Sequence, residues 1–168
     1  MKTYHYSEID STNSQLRRLI VSGEADNFTI VTADYQTAGR GQVGNCWESE
    51  NNKNLLFSIL LRPQSLDVRS QYYLSMAISV AVVATISPIV ASASVKVKWP
   101  NDIYVGDKKL AGILIENTLR ETKIGDCIVG IGLNVNQDKF LSDVPNPVSM
   151  LNIPGREHEI SWIADSIR

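Results

Sequence analysis

The order of apolar and polar positions in the first third of the chain predicts one helix followed by two strands. Apolar side chains recur at helical spacing over residues 16–20, just after good helix-capping residues, which predicts a helix from Thr12 to about Gly23. Residues 28–33 are rich in β-branched side chains, and 55–61 form a continuous apolar run closed by Pro63. Both segments are predicted strands, the second buried on both faces.

The remainder of the chain predicts a long helix, a set of hairpins and a terminal helix. Residues 70–95 carry no charge, but several serines, Thr85 and Pro88 favour a buried helix capped by Ser65 over a membrane helix. Short apolar or alternating runs separated by turns over residues 95–135 predict successive antiparallel hairpins. Residues 157–167 show helical spacing again.

Residues 36–54 lack both periodicities, and a compact domain rarely keeps such a loop without a function. The loop contains the pattern GxGxxG at residues 39–44. A dinucleotide site requires a helix directly after that pattern, and the turn-forming residues 45–52 exclude one. Closely spaced glycines and Arg40 still suit the binding of a carboxylate or phosphate, with a plain surface loop as the alternative.

Two further groups of residues could carry chemistry. Four lysines surround residues 99–102, and they are Lys96, Lys98, Lys108 and Lys109. A solvated sheet face is the ordinary interpretation, but Lys109 borders a buried run and could neutralise charge on a transferred acyl or phosphoryl group. Gly130 and Gly132 inside a strand indicate close approach of a ligand or backbone, or a β-bulge, and Asn134 could contact a heteroaromatic edge.

Composition narrows the function classes. Sixteen basic against eighteen acidic residues give a net charge of -2, which excludes a general positive field for nucleic acid. Cys46 and Cys127 are too far apart for a CxxC motif, and His5 and His158 lack metal-ligand spacing. No secretory signal, nucleophile elbow or P-loop occurs in the sequence. We therefore expect a cytoplasmic protein that handles phosphates electrostatically.

Four motifs in order resemble the biotin protein ligase family. They are Ser11-Thr12-Asn13, Gln36-Thr37-Ala38-Gly39-Arg40-Gly41 with Trp47, Lys98-Trp99-Pro100-Asn101-Asp102 with Lys109 to Glu116, and Gly130 to Asn136. The resemblance implies an α/β (α+β) fold, a mixed, largely antiparallel sheet with helices packed on one face, similar to the core of class II aminoacyl-tRNA synthetases. It also implies two steps: biotin and Mg-ATP form biotinyl-5'-AMP, and a lysine of a biotin carboxyl carrier protein then takes the biotinyl group.

The resemblance also assigns residues. It gives Lys109 and Arg40 catalytic roles, and no metal ligand is assigned from it. The biotin site would comprise Ser11, Thr12, Asn13, Gln36, Gly39, Gly41, Trp47 and Gly112. The nucleotide site would comprise Arg40, Asn101, Asp102, Lys109 and Asn134.

Three features depart from the family pattern. Gln42, Val43 and Asn45 stand where many members carry basic residues, so we expect weaker retention of the adenylate. No DNA-binding domain precedes residue 1, so no DNA partner is expected; a homodimer is compatible with the resemblance. Residues 1–168 correspond to the catalytic domain and stop short of the family's small C-terminal β-domain. The alternatives are a lipoate–protein ligase and a biotin-binding module without turnover.

Overall fold

The computed structural model describes residues 1–42, 44–90, 94–141, 146–153 and 155–167, so that Val43 lies outside the described residues. Within them, seven strands and three α-helices follow one another along the chain. They are β1 (Thr3–Ile9), α1 (Thr12–Val21), β2 (Ile30–Gln36), β3 (Asn54–Leu61), α2 (Gln71–Ile86), β4 (Val95–Lys98), β5 (Asp102–Val105), β6 (Lys108–Arg120), β7 (Lys123–Asn134) and α3 (Ile160–Ile167).

The strands form one sheet in the order β1-β2-β3-β7-β6-β5-β4. Only β1 and β2 pair in parallel, and the other neighbours in this sheet are antiparallel. This confirms the mixed, largely antiparallel sheet. The sequence analysis missed β1, because its residues are mostly polar and partly exposed at the sheet edge. Its pairing with β2, for example Tyr4 with Val31, is a contact that periodicity alone does not reveal.

The two faces of the sheet bury different cores, because successive side chains of a strand point to opposite faces. On one face, Phe57 and Ile131 pack with Val82 of α2 and Ile163 of α3. On the other face, α1 covers a smaller core made of Leu16, Leu19, Ala25, Val31, Leu60 and Ile128. The expectation that the helices pack on one face therefore holds for α2 and α3 and is wrong for α1.

Helix α2 begins later than the sequence predicted. The cap at Ser65 is wrong: a 3-10 turn at Val68–Ser70 comes first, and the Asp67 carboxylate accepts a hydrogen bond from the backbone N–H of Arg69. The uncharged stretch thus forms a 16-residue helix that is anchored in the core by Val82 and Ile86. Among the described residues, no helix combines the length and apolar character needed to cross a membrane.

Candidate functional site

A cavity of about 620 Å³ opens on the sheet face that α1 shares, beside that helix and beneath the loop after β2. Most residues predicted for the site line it. They are Ser11, Thr12, Asn13, Gln36, Arg40, Gly41, Trp47, Asn101, Asp102, Lys109, Gly112 and Asn134. Gly39 does not line it; this residue lies behind Trp47, where an added Cβ would stand 2.3 Å from the Trp47 carbonyl oxygen.

The floor of the cavity consists of glycines on β6 and β7. The indole of Trp47 lies against Gly112 and Gly132, where added Cβ atoms would approach it to 2.9 and 2.3 Å. At Gly130 an added Cβ would stand 2.3 Å from the Asn13 amide oxygen. The strand glycines do mark a close approach, as the sequence indicated, but the approaching groups are the side chains of Asn13 and Trp47, whereas a ligand, another backbone or a β-bulge was predicted.

A buried polar network joins the start of α1 to β2 and β3. The backbone N–H and hydroxyl of Thr12 both donate to Oε1 of Gln36, at 2.7 and 3.1 Å. The Ser58 hydroxyl lies 2.7 Å from Thr12 Oγ1 and 2.6 Å from Asn13 Oδ1. Ser11 is the N-cap residue of α1, yet its side chain makes no capping hydrogen bond. That leaves the Ser11 hydroxyl at the cavity wall for another partner.

The glycine-arginine loop folds as a small hairpin. Gly41 N–H donates to the Asn45 carbonyl at 3.0 Å, and Trp47 N–H donates to the Gly39 carbonyl at 3.0 Å. No helix follows over residues 45–53, which agrees with the exclusion of a dinucleotide-binding turn. Beyond the hairpin, the buried side chain of Gln137 accepts a hydrogen bond from the Glu50 N–H at 3.1 Å and fastens the end of the loop.

Arg40 pairs with a carboxylate of the protein itself. Its Nη2 lies 2.8 Å from Oε1 of Glu116 and its Nη1 lies 3.3 Å from Oε2. Arg17 of α1 contacts the same carboxylate at 3.2 Å, and Asn13 Nδ2 donates to it at 2.9 Å. Glu116 thus connects the loop to α1.

Lys109 lies in the cavity beside Asp102. Its Nζ is 2.8 Å from Oδ1 of Asp102 and 5.7 Å from the centre of the Trp47 ring. Both members of the pair are largely shielded, with side-chain exposures of 22% and 19%. Lys98 also lines the cavity, whereas Lys96 and Lys108 do not. The basic cluster is therefore divided between the cavity and the solvent.

The two asparagines predicted to contact nucleotide bind the backbone around the cavity. Asn101 Nδ2 donates to the carbonyl of Ile113 at 3.2 Å. Asn134 Nδ2 donates to the carbonyl of Val148 at 3.1 Å. Their contacts with a nucleotide stay predictions. Neither asparagine needs its whole amide for these bonds, since an amide offers two N–H donors and an acceptor oxygen.

The sequence analysis overlooked three polar residues of this region. Ser58 is the single polar side chain in the apolar run 55–61, and that interruption was the signal that could have revealed it. Glu116 follows Gly112 and Leu114 at strand alternation, which places all three on the cavity face. Gln137 offered no local signal, because its partners come from the distant loop.

The buried thiol of Cys127 is a poor nucleophile. Both cysteines are free, and burial raises the pKa of Cys127 to about 12. Cys127 therefore stays protonated at neutral pH. In the described part of the chain, no group of three His, Cys, Asp or Glu side chains is arranged to hold a metal ion. The geometry suits charge stabilisation between two bound substrates.

Comparisons with known proteins show the family to which the chain belongs. The model of the Biotin/lipoate A/B protein ligase family matches residues 6–136. The bifunctional ligase/repressor BirA of Bacillus spizizenii is 36% identical over 149 residues, which cover 88% of this chain and 45% of that protein. The biotin–[acetyl-CoA-carboxylase] ligase of Mycobacterium tuberculosis is 32% identical over 149 residues, covering 88% and 54%.

A solved structure shares the fold. The biotin protein ligase from Aquifex aeolicus in complex with biotin and ATP superposes with a TM-score of 0.83 and 28% identity, covering 99% of this chain and 66% of that one. The chain thus spans about half the length of the curated relatives described above.

Proposed function

Because the chain belongs to the biotin/lipoate A/B protein ligase family, we propose that it catalyses the ATP-dependent attachment of biotin to a lysine of a biotin carboxyl carrier protein. In the first step the biotin carboxylate attacks the α-phosphorus of ATP and pyrophosphate leaves. In the second step the carrier lysine attacks the acyl carbon and AMP leaves. The observation that carries this proposal is that the α1 polar network and Lys109 open into one cavity above a glycine floor.

The polar network at the start of α1 suits a ligand with alternating donors and acceptors. The Ser11 hydroxyl is not used for capping, and Gln36 holds the backbone of Thr12 in place. A ureido group presents one carbonyl and two N–H groups, which hydroxyl and amide side chains can satisfy. We therefore assign this end of the cavity to biotin, together with Asn13 and the glycine floor.

Lys109 supplies the charge that both reaction steps require. Its ammonium is largely shielded from water and is held by Asp102. In such a site a fixed positive charge stabilises the developing negative charge of the α-phosphate more strongly than it would in water. The carrier lysine is the nucleophile of the second step, so the cavity needs no nucleophilic side chain of its own.

The hairpin of the glycine-arginine loop would close the cavity over the adenylate. The mixed anhydride is open to hydrolysis, so excluding water protects it until the carrier arrives. Arg40 has the donors to bind a phosphate or carboxylate, whereas Gln42 and Asn45 add no charge. We expect weaker retention of the adenylate than in relatives with basic residues at these positions.

ATP would enter as its Mg²⁺ complex. Asp102 and Glu48 are carboxylates that line the cavity, and one or two carboxylates with substrate phosphates are the usual ligands of Mg²⁺. We further propose that residues 1–168 correspond to the catalytic part of the ligases, since the matched region 6–136 contains every predicted site residue. A cytoplasmic location and a homodimer stay predictions.

The test is biotin-dependent exchange of labelled pyrophosphate into ATP by the 168-residue chain, with lipoate in a parallel reaction. Exchange with biotin alone supports the proposal. Exchange with lipoate alone would establish a lipoate ligase instead. No exchange with either acid, while calorimetry still detects biotin binding, would make this chain a recognition module and overturn the proposed turnover.

A further inference from the structure

The carboxylate of Glu116 is the meeting point of two elements that line the cavity. From α1 it receives Asn13 Nδ2 at 2.9 Å and Arg17 Nη2 at 3.2 Å. From the loop it receives Arg40, with two guanidinium nitrogens at 2.8 and 3.3 Å. The glutamate itself lies on β6, in the middle of the sheet. One side chain of the rigid sheet thus holds both the loop and the helix.

The members of this cluster differ in burial and in charge. The Glu116 side chain is 18% exposed, whereas Arg17 and Arg40 are 46% and 44% exposed. The shielded member is therefore the carboxylate, and the arginines reach towards it from more exposed positions. Two guanidinium groups share one carboxylate, so the cluster keeps a surplus positive charge. Without Glu116 the two arginines would repel each other and Arg40 would lose its anchor.

The pairing with Glu116 leaves some hydrogen-bond donors of Arg40 unused. A guanidinium carries five N–H donors in a fixed plane, and Glu116 occupies only one edge with its two oxygens. Arg40 also lines the cavity. It can therefore keep its bidentate bond to Glu116 and still donate to an anion in the cavity. This geometry fixes the plane and the direction of the remaining donors.

Glu116 also restrains Asn13. The Asn13 amide donates to Glu116 through Nδ2, while its Oδ1 lies 2.6 Å from the Ser58 hydroxyl. The same oxygen lies above Gly130, where no side chain competes for the space. The amide orientation at the biotin end of the cavity is thus tied to the carboxylate that orients Arg40.

We propose that Glu116 is a positioning residue that acts through Arg40 and Asn13, holding the loop hairpin against the cavity so that the acyl-adenylate is retained. This inference rests on the proposed function, because the retained species is the intermediate of that reaction. Glu116 is not a catalytic residue, since it contacts the arginine and the amide rather than the reacting atoms.

The test uses Glu116→Gln, which keeps the shape and removes the charge, with Glu121→Gln as matched control. Glu121 is exposed at the turn between β6 and β7, away from the cavity. Hydrogen exchange of loop peptides spanning residues 38–47 is measured without ligand, and release of biotinyl-AMP is measured after a single turnover. For Glu116→Gln we expect faster exchange confined to the loop and release about tenfold faster, the loss typical of one charged hydrogen bond. Glu121→Gln should match the original chain in both.

A double-mutant cycle separates positioning from general support of the fold. If Glu116 retains the intermediate partly through Arg40, then Glu116→Gln should speed release by a smaller factor in the Arg40→Ala background than in the original chain. Additive effects on release would overturn the coupling. Slower release from Glu116→Gln would show that the glutamate competes with the ligand for Arg40 and would also overturn the proposal.

The two proposals can fail separately. If the chain forms no adenylate, the proposed function fails. Hydrogen exchange of the loop without ligand then still tests whether Glu116 holds the loop in place. Unchanged loop exchange in both Glu116→Gln and Glu116→Asp would overturn that role. If Glu116→Gln folds poorly, Glu116→Asp keeps the charge on a side chain one methylene shorter, and intermediate loop exchange between the original chain and Glu116→Ala is expected.

Discussion

The two faces of the central sheet differ although the same strands build both. On β7, Val129, Ile131 and Leu133 point towards the core under α2 and α3. Their neighbours Gly130 and Gly132 point to the opposite face and leave room for Asn13 and Trp47. One face is filled with side chains from the sheet, whereas the other is kept open for groups from elsewhere.

This division separates stability from chemistry. Each large apolar side chain that is fully buried on the helix-covered face contributes about 1.5–3 kcal/mol relative to exposure. The glycines of the cavity face give up that contribution and make room for Asn13 and Trp47, which line the cavity. Substitutions on the helix-covered face should therefore lower the free energy of unfolding, whereas substitutions on the cavity face should weaken ligand binding or slow catalysis.

The largest expected effect on the helix-covered face comes from Phe57→Ala. Phe57 is 1% exposed, and its truncation should lower the free energy of unfolding by about 3–5 kcal/mol. Urea unfolding measures this loss, and calorimetry on the folded protein should find biotin affinity unchanged. Leu119→Ala is the control, because Leu119 is 57% exposed and should change stability by no more than about 0.5 kcal/mol. Weaker biotin binding at unchanged stability would contradict the separation.

The corresponding change on the cavity face is Lys109→Met, which removes the shielded positive charge. We expect adenylate formation to slow about 10²–10³-fold, because a fixed charge at the reacting phosphate is lost. Rapid-quench measurement of biotinyl-AMP formation tests this. Lys108→Met is the matched control, since the adjacent lysine is exposed and lies outside the cavity. Equal rates in the two variants would remove Lys109 from the mechanism.

A smaller effect is expected from Gly132→Ala, which fills the floor of the cavity. The new Cβ would stand 2.3 Å from Cε2 of Trp47, so the indole must leave its position. Overpacking of this kind costs about 1–3 kcal/mol. Because the displaced indole lines the cavity, we expect calorimetry to show a lower affinity for biotin. Gly125→Ala on the same strand is the control, because its Cβ would meet the side chains of Arg120 and Thr118, at 2.9 and 3.1 Å, and not the indole of Trp47. A similar loss in both variants would point to strand disruption instead.

The smallest effect concerns pH. Burial and the nearby charge of Arg156 lower the pKa of His158 below its usual 6.5. The unfolded chain then takes up a proton at a pH where the folded chain does not, so stability falls as the pH drops below about 6.5 towards the folded-state pKa. Urea unfolding followed from about pH 7.5 to about pH 5, the range in which a histidine titrates, should show a shallower decline in stability for His158→Gln. An identical slope in both proteins would contradict this assignment.

Local signals predicted much of the fold, whereas the family resemblance supplied most of the candidate site residues. Helical spacing after residues 10–13 placed the start of α1 correctly, and the apolar run 55–61 became β3. The unpatterned loop and the glycines of β7 were recognised as a site, and most of the assigned residues line one cavity. By contrast, β1 was missed, since its pairing with β2 rather than its own pattern makes it a strand.

The sequence alone determined which residue types stand at each step of a strand or helix, because periods of 2 and 3.6 residues are local properties of the backbone. Only the tertiary structure decided which distant residues meet. Helix α1 covers the face opposite α2 because Leu60 and Ile128 point away from the larger core. Glu116 and Arg40, 76 residues apart, face each other because β6 lies under the loop. Such pairings depend on strand order and loop closure, which no local pattern encodes.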